Sequence, residues 1–283
     1  MEALRQRIQI PDSIRQIPDQ LKPKSPKALD KGADSIPTSL TPTPVSPPLA
    51  TPSHGAEGAV LTIACATPIS VPPLTVLAAV ITPSTYPTWN TFVPRATISR
   101  PAPDPLPPLL QNSPVSGVPP ADLLLEATHV TFEVHMTLDP ARTTTKQSLV
   151  VTRLEDFTRT TASPSGDAHR GRRGYRVCWK TGGLVPPFVL KSERVQEFLE
   201  TEDGNGTEYR CWETFYGPLA QVLRFTMVGQ LETGFAAWMD GLKNFVEGGS
   251  NVAPAPAPPA DDAAAAAAAT AAAATAAPAT AAT

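Results

Sequence analysis

The sequence predicts an α+β fold: a curved antiparallel sheet of about six or seven strands wrapped around one long C-terminal helix, with disordered arms at both ends. Three observations predict it. The chain has 34 Pro against 17 Gly, and the Pro crowd residues 11–54, 101–120 and the tail after Val252, so the compact part is the middle. Within that middle, strand-like segments dominate up to residue 216, and the clearest of them alternates apolar and polar residues. Beyond Gly217-Pro218 the period lengthens. Leu231, Phe235, Trp238, Leu242 and Phe245 recur at spacings of four, three, four and three, the stripe of a helix of about 30 residues, or about 45 Å. The expected division is a disordered Pro-rich arm at 1–57, one domain at 58–249 with a Pro-rich loop insertion at 101–121, and a disordered Ala/Pro-rich tail at 250–283.

Each element follows in order. Segment 11–52 is so dense in Pro that neither helix nor sheet is expected to propagate through it. Segment 59–65 is uncharged and rich in β-branched residues, a strand. Pro72-Pro73 opens a short helix reaching residue 81. Residues 83–93 form a helical or turn element with three aromatic anchors, and 96–99 a strand. In 123–138, Val130, Phe132, Val134 and Met136 share one face while His129, Thr131, Glu133 and His135 share the other. Segments 147–157 and 174–181 are further strands, and 188–200 with 207–216 make a hairpin announced by Asp203-Gly-Asn-Gly206. Gly248-Gly249 ends the helix, and the Ala run of the tail has no large side chain to bury. A curved sheet and one helix cannot fill the space between them, which predicts a mainly apolar pocket.

Charge and motifs exclude several classes. A net charge of −3 opposes nucleic-acid binding, and no run is long and apolar enough for stable membrane insertion. The first ten residues lack a secretory signal; a cytoplasmic location is expected, with mitochondrial import as the alternative. HxH, CxxC and HExxH are absent, so neither metal nor cofactor is expected. His129 and His135 are too far apart on one strand to share an ion, and His54 and His169 fall in loops. The expected partner is a small hydrophobic ligand; the Pro-rich arm could take weak partners, but no PxxP in it carries the flanking charges of an SH3 or WW ligand.

Several segments carry a family resemblance: Tyr86-Pro-Thr-Trp89-Asn90-Thr-Phe92-Val93, Val177-Cys-Trp179, Glu193-Arg-Val-Gln-Glu-Phe198, Gly206-Thr-Glu-Tyr209, Glu213-Thr-Phe215, Gly217-Pro-Leu219 and the closing helix. Over about residues 59–247 the chain resembles the START-like or SRPBCC superfamily, which includes polyketide cyclase/dehydrase, coenzyme Q-binding and Bet v 1-like proteins. The resemblance implies a helix-grip fold that binds a lipid, isoprenoid or polyketide-like molecule. It implies neighbouring first and last strands, which would bring Cys65 near Cys211 as free thiols. The alternatives are a polyketide cyclase/dehydrase-type enzyme with Glu213 as acid or base, and a non-catalytic interaction protein with a collapsed pocket.

A four-residue loop at 203–206 would pair Glu202 with Thr207, and so set Phe198 opposite Cys211, Gln196 opposite Glu213 and Arg194 opposite Phe215. Phe198, Tyr209 and Phe215 mark this as the inward face. It carries Arg194, Gln196 and Glu213, with Arg194 and Glu213 pairing diagonally. Glu193, Glu197, Glu208 and Arg210 would face solvent, and Trp212 would need a cover; the reverse parity would line the pocket with Trp212 and Glu197 instead. The remaining expected lining is Trp89, Phe132 and Val134, then Tyr175 and Trp179, then Met227, Leu231 and Phe235 from the helix. Gly229 and Gly234 either leave room for a ligand or permit a bend.

Overall fold

The computed structural model describes residues 34–248, apart from 140, 142–143, 157–172, 183–185 and 187. Eight antiparallel strands form one sheet in the order β1-β2-β8-β7-β6-β5-β4-β3. They are β1 (Leu40–Pro44), β2 (Ala59–Ile69), β3 (Arg95–Arg100), β4 (His129–Val134), β5 (Thr145–Asp156), β6 (Gly174–Thr181), β7 (Lys191–Glu200) and β8 (Thr207–Tyr216). The helices are α1 (Pro73–Ile81), α2 (Tyr86–Trp89), α3 (Pro218–Thr226) and α4 (Val228–Gly248). The apolar stripe of α4 lies against one face of the sheet, and α1 and α2 close the same buried cluster. This is the helix-grip architecture that was expected, with one strand more than the six or seven foreseen. Among the described residues no helix is long and apolar enough to cross a membrane.

The additional strand is β1, inside the segment expected to form neither helix nor sheet. Its residues pair with the free edge of β2, and Thr43 lies opposite Ala64. Residues 34–57 cover the outer face of the sheet. Ile36, Leu49 and Ala50 are buried, and Ile36 and Leu49 cluster with Cys178, Val195 and Trp212. The strap is laced down by side chains as well. Trp212 Nε1 donates to the Ala50 carbonyl at 3.1 Å, and Thr214 Oγ1 donates to Leu49 O at 2.9 Å. The Tyr216 hydroxyl donates to Gly55 O at 2.6 Å and lies 2.9 Å from Thr51 Oγ1. Pro removes backbone donors but leaves an edge strand permissible, and the apolar contacts hold it there.

The same strap overturns the solvent face expected for Glu193, Glu197, Glu208 and Arg210, all of which are buried. Each has partners. Glu193 accepts from Ser53 N at 2.7 Å, Ser53 Oγ at 2.8 Å and Thr152 Oγ1 at 2.8 Å. Arg176 bridges Glu197 at 2.7 Å and Glu155 at 2.8 Å, and Arg210 Nε donates to Glu208 at 2.6 Å. Buried charges persist where they are paired and hydrogen-bonded.

Three further expectations change. The strand foreseen over 123–138 is confined to His129–Val134, because Ala127 and Leu138 take positive φ angles of 69° and 57°. The long C-terminal helix is two helices broken at Met227, where φ is −128°. Gly217, with φ of 92°, makes the turn from β8 into α3, a region L-residues rarely enter. Gly234 does not open room for a ligand: a Cβ there would strike the Phe92 ring, so this glycine lets α4 settle onto the segment after α2. The expected tail at 250–283 and His169 lie outside the described residues.

Candidate functional site

The hairpin of β7 and β8 carries the polar residues of the inward face. Its register differs by two from the expected one. Glu200 pairs with Thr207, Phe198 with Tyr209, Gln196 with Cys211, and Arg194 with Glu213. The cause is a six-residue turn, 201–206, cinched by the Thr201 side chain. Gly206 N donates to Thr201 Oγ1 at 2.9 Å, and that hydroxyl donates to Asp203 Oδ1 at 2.6 Å. A slip of two preserves the facing of every side chain. Phe198, Tyr209, Cys211 and Phe215 therefore belong to the cluster under α4, while Trp212 lies in the cluster under the strap.

Arg194 and Glu213 thus pair directly rather than diagonally, Nε to Oε2, at 3.0 Å. The second carboxylate oxygen accepts from Ser192 Oγ at 2.7 Å. The guanidinium carbon lies 4.0 Å from the Phe235 ring centre and 5.4 Å from that of Trp238. Burial acts against the Arg194 cation, but the Glu213 charge outweighs it and holds the pKa above the ordinary arginine value. Of the buried charged residues described, Arg194 and Glu213 alone share the inward face.

Gln196 lies two residues along the same face of β7. Its Oε1 accepts from the Tyr209 hydroxyl at 2.7 Å, while its Nε2 is buried with no hydrogen-bond partner. Trp238 Nε1 and Asn90 Nδ2 are buried and unpartnered too. Such groups are rare in folded interiors and call for an explanation. Cys65 pairs across β2–β8 with Cys211, and both are free thiols. The hydrogen bond with Cys211 and burial push the Cys65 thiol well up, and burial does the same to the Tyr209 phenol.

Aromatic rings surround this strip. Trp238 is near their centre, 5.3 Å from Trp89, 5.5 Å from Tyr86 and 6.0 Å from Trp179. Phe132 is 5.6 Å from Trp179, edge to face. Most of the expected lining is brought together here: Trp89, Phe132, Val134 and Trp179 join Leu231 and Phe235 in one buried cluster, against which Tyr175 is partly buried. Met227 does not join it; it sits half-buried at the helix break. Sequence reasoning left Trp238 and Tyr86 out of the site. The signal for Trp238 was its central place in the stripe from Leu231 to Phe245. His129 lies beside Arg100 and His54 packs edge-on to Tyr216, both away from this strip. Among the described residues no group of three or more His, Cys, Asp or Glu could hold a metal ion.

A sheet gripped by a helix, with one ion pair and unpaired donors set among aromatic rings on its inward face, defines a helix-grip protein with a polar strip in its interior. Oxopyrrolidines biosynthesis cluster protein O of Penicillium oxalicum is 31% identical to the chain over 212 residues, 71% of this chain and 93% of that one. The chain belongs to the same family as that protein. No family model matches. Among solved structures, a START superfamily protein from Mycobacterium smegmatis aligns at 10% identity and a TM-score of 0.37, over 64% of this chain and 98% of that one. A norcoclaurine synthase point mutant from Thalictrum flavum aligns at 8% identity and a TM-score of 0.41, over 68% and 98%.

Proposed function

We propose that the protein binds a small, largely apolar product or intermediate of secondary metabolism in the interior between the sheet and α4. The observation that carries this is the Arg194–Glu213 pair with Gln196, set inside an aromatic cluster. Apolar residues of similar volume would be as stable or more so there, so stability alone does not account for the polar strip. The relative's place in a biosynthesis cluster supports a small-molecule role. Carbon surface supplies the affinity, about 25 cal/mol per Å² before association costs, and the strip orients the ligand. Glu213 serves here to hold Arg194, with one oxygen on the guanidinium and the other on Ser192 Oγ.

Native mass spectrometry of the protein purified from its own host tests the reading. A discrete small-molecule adduct that is lost on denaturation is expected. Protein that carries none, and that takes up no apolar probe, would return the interaction-protein alternative.

A further inference from the structure

The unpaired donors of the interior are specific about what they lack. Gln196 Nε2 and Trp238 Nε1 are both N–H groups, buried and without an acceptor. Both lie close to Arg194. Gln196 is two residues along the same strand face, about 7 Å away, and the Trp238 ring centre is 5.4 Å from the Arg194 guanidinium. The Gln196 oxygen accepts from the Tyr209 hydroxyl at 2.7 Å, which leaves the N–H₂ end of the amide as the unpaired one.

Charge narrows the chemistry further. Among the described buried residues the inward face holds one cation and one anion, and these are bonded to each other at 3.0 Å. An anionic ligand would add an uncompensated buried charge, whereas a neutral acceptor would not. The flat guanidinium lies over the Phe235 ring, and Trp179 and Trp238 stand edge to face beside it, surroundings that suit a planar group.

We propose that the interior ligand carries a neutral carbonyl oxygen, as in a ketone, ester, lactam or amide, which accepts from Gln196 Nε2 and Trp238 Nε1 beside the Arg194–Glu213 pair. This rests on the binding role proposed above and names its substrate class. The carbonyl sets the ligand's orientation, and the rest of the molecule lies against the rings of Trp89, Phe132 and Trp179.

Three matched probes test it by calorimetric titration of the full chain at pH 7: 2-acetylnaphthalene, 2-ethylnaphthalene and 2-naphthoate. They share a ring system and differ in offering a neutral acceptor, no acceptor and an anion. The ketone should bind about tenfold more tightly than the hydrocarbon, equivalent to about 1.4 kcal/mol, and the carboxylate should bind weakest. In Gln196→Leu the ketone preference should fall by half or more. Trp238→Phe, which keeps the ring and removes the N–H, should halve the preference or more, and serves as the second variant should Gln196→Leu not fold. Equal affinity for ketone and hydrocarbon would mean that ordered water satisfies these donors, and would overturn the carbonyl assignment while leaving interior binding intact. Tightest binding of 2-naphthoate would overturn it as well. Failure of all three probes to bind would remove both this inference and the binding role beneath it.

Discussion

Replacing Glu213 by Leu leaves the Arg194 guanidinium with its side chain 6% exposed and without its counter-ion. Ser192 Oγ loses its acceptor in the same step. Breaking a buried pair from one side costs about 3–5 kcal/mol. For a domain of this size each kcal/mol is worth about 2–4 °C, so the melting temperature should fall by about 10 °C. The double variant Arg194→Leu/Glu213→Leu removes both charges and should return to wild-type stability or exceed it by about 1–4 kcal/mol. The two singles and the double close a mutant cycle whose coupling is read from urea denaturation midpoints at constant slope. A Glu213→Leu variant that loses less than about 1 kcal/mol, the worth of an exposed pair, would refute the reasoning that the pair is buried and unscreened. So would a double variant no more stable than the single.

Other outcomes follow from other parts of the molecule. Gly234→Ala drives a methyl group into the Phe92 ring and should cost about 1–3 kcal/mol, partly restored by Phe92→Leu in a thermal melt. Deleting residues 1–57 uncovers Trp212 and should red-shift the intrinsic fluorescence and induce dye binding by exposed apolar surface; unchanged fluorescence would refute the cover. Cys65, Cys178 and Cys211 are buried free thiols, so a thiol reagent should label them slowly in the folded protein and all at once in denaturant. His54 has its pKa lowered below 6.5, first by burial, so the unfolded state takes up the proton more readily. Its contribution is complete above pH 6.5 and is lost as pH falls below that value, and His54→Gln should flatten this part of a stability–pH curve.

Much of this architecture is legible in the residues. β6 and β8 occupy the predicted segments, and the facing of Arg194, Gln196 and Glu213 survives the register error because the error is an even number. The register itself turns on the Thr201 side chain, which closes a longer turn than Asp203-Gly-Asn-Gly206 advertises. β1 is hidden because its pairing is made to a strand some twenty residues away and its own sequence, Leu-Thr-Pro-Thr-Pro, carries two prolines that argue against a strand. Its trace in the sequence was Trp212, a large ring on the outward face that needed a cover. The break at Met227 carries no Pro, so the helical period runs through it. α3 leaves Val222 and Phe225 exposed, and the continuous stripe belongs to α4 alone.

The strap over 34–57 has a mechanical consequence. With Trp212, Thr214 and Tyr216 tied to it and the charged groups behind β6–β8 knitted together, that side of the sheet is a clamped wall. A guest of any size must find its space on the other side. Accommodation therefore falls to the α4 rod and the rings of Tyr86 and Trp89 beneath it, and the Gly234–Phe92 contact is the fulcrum about which that rod would lift.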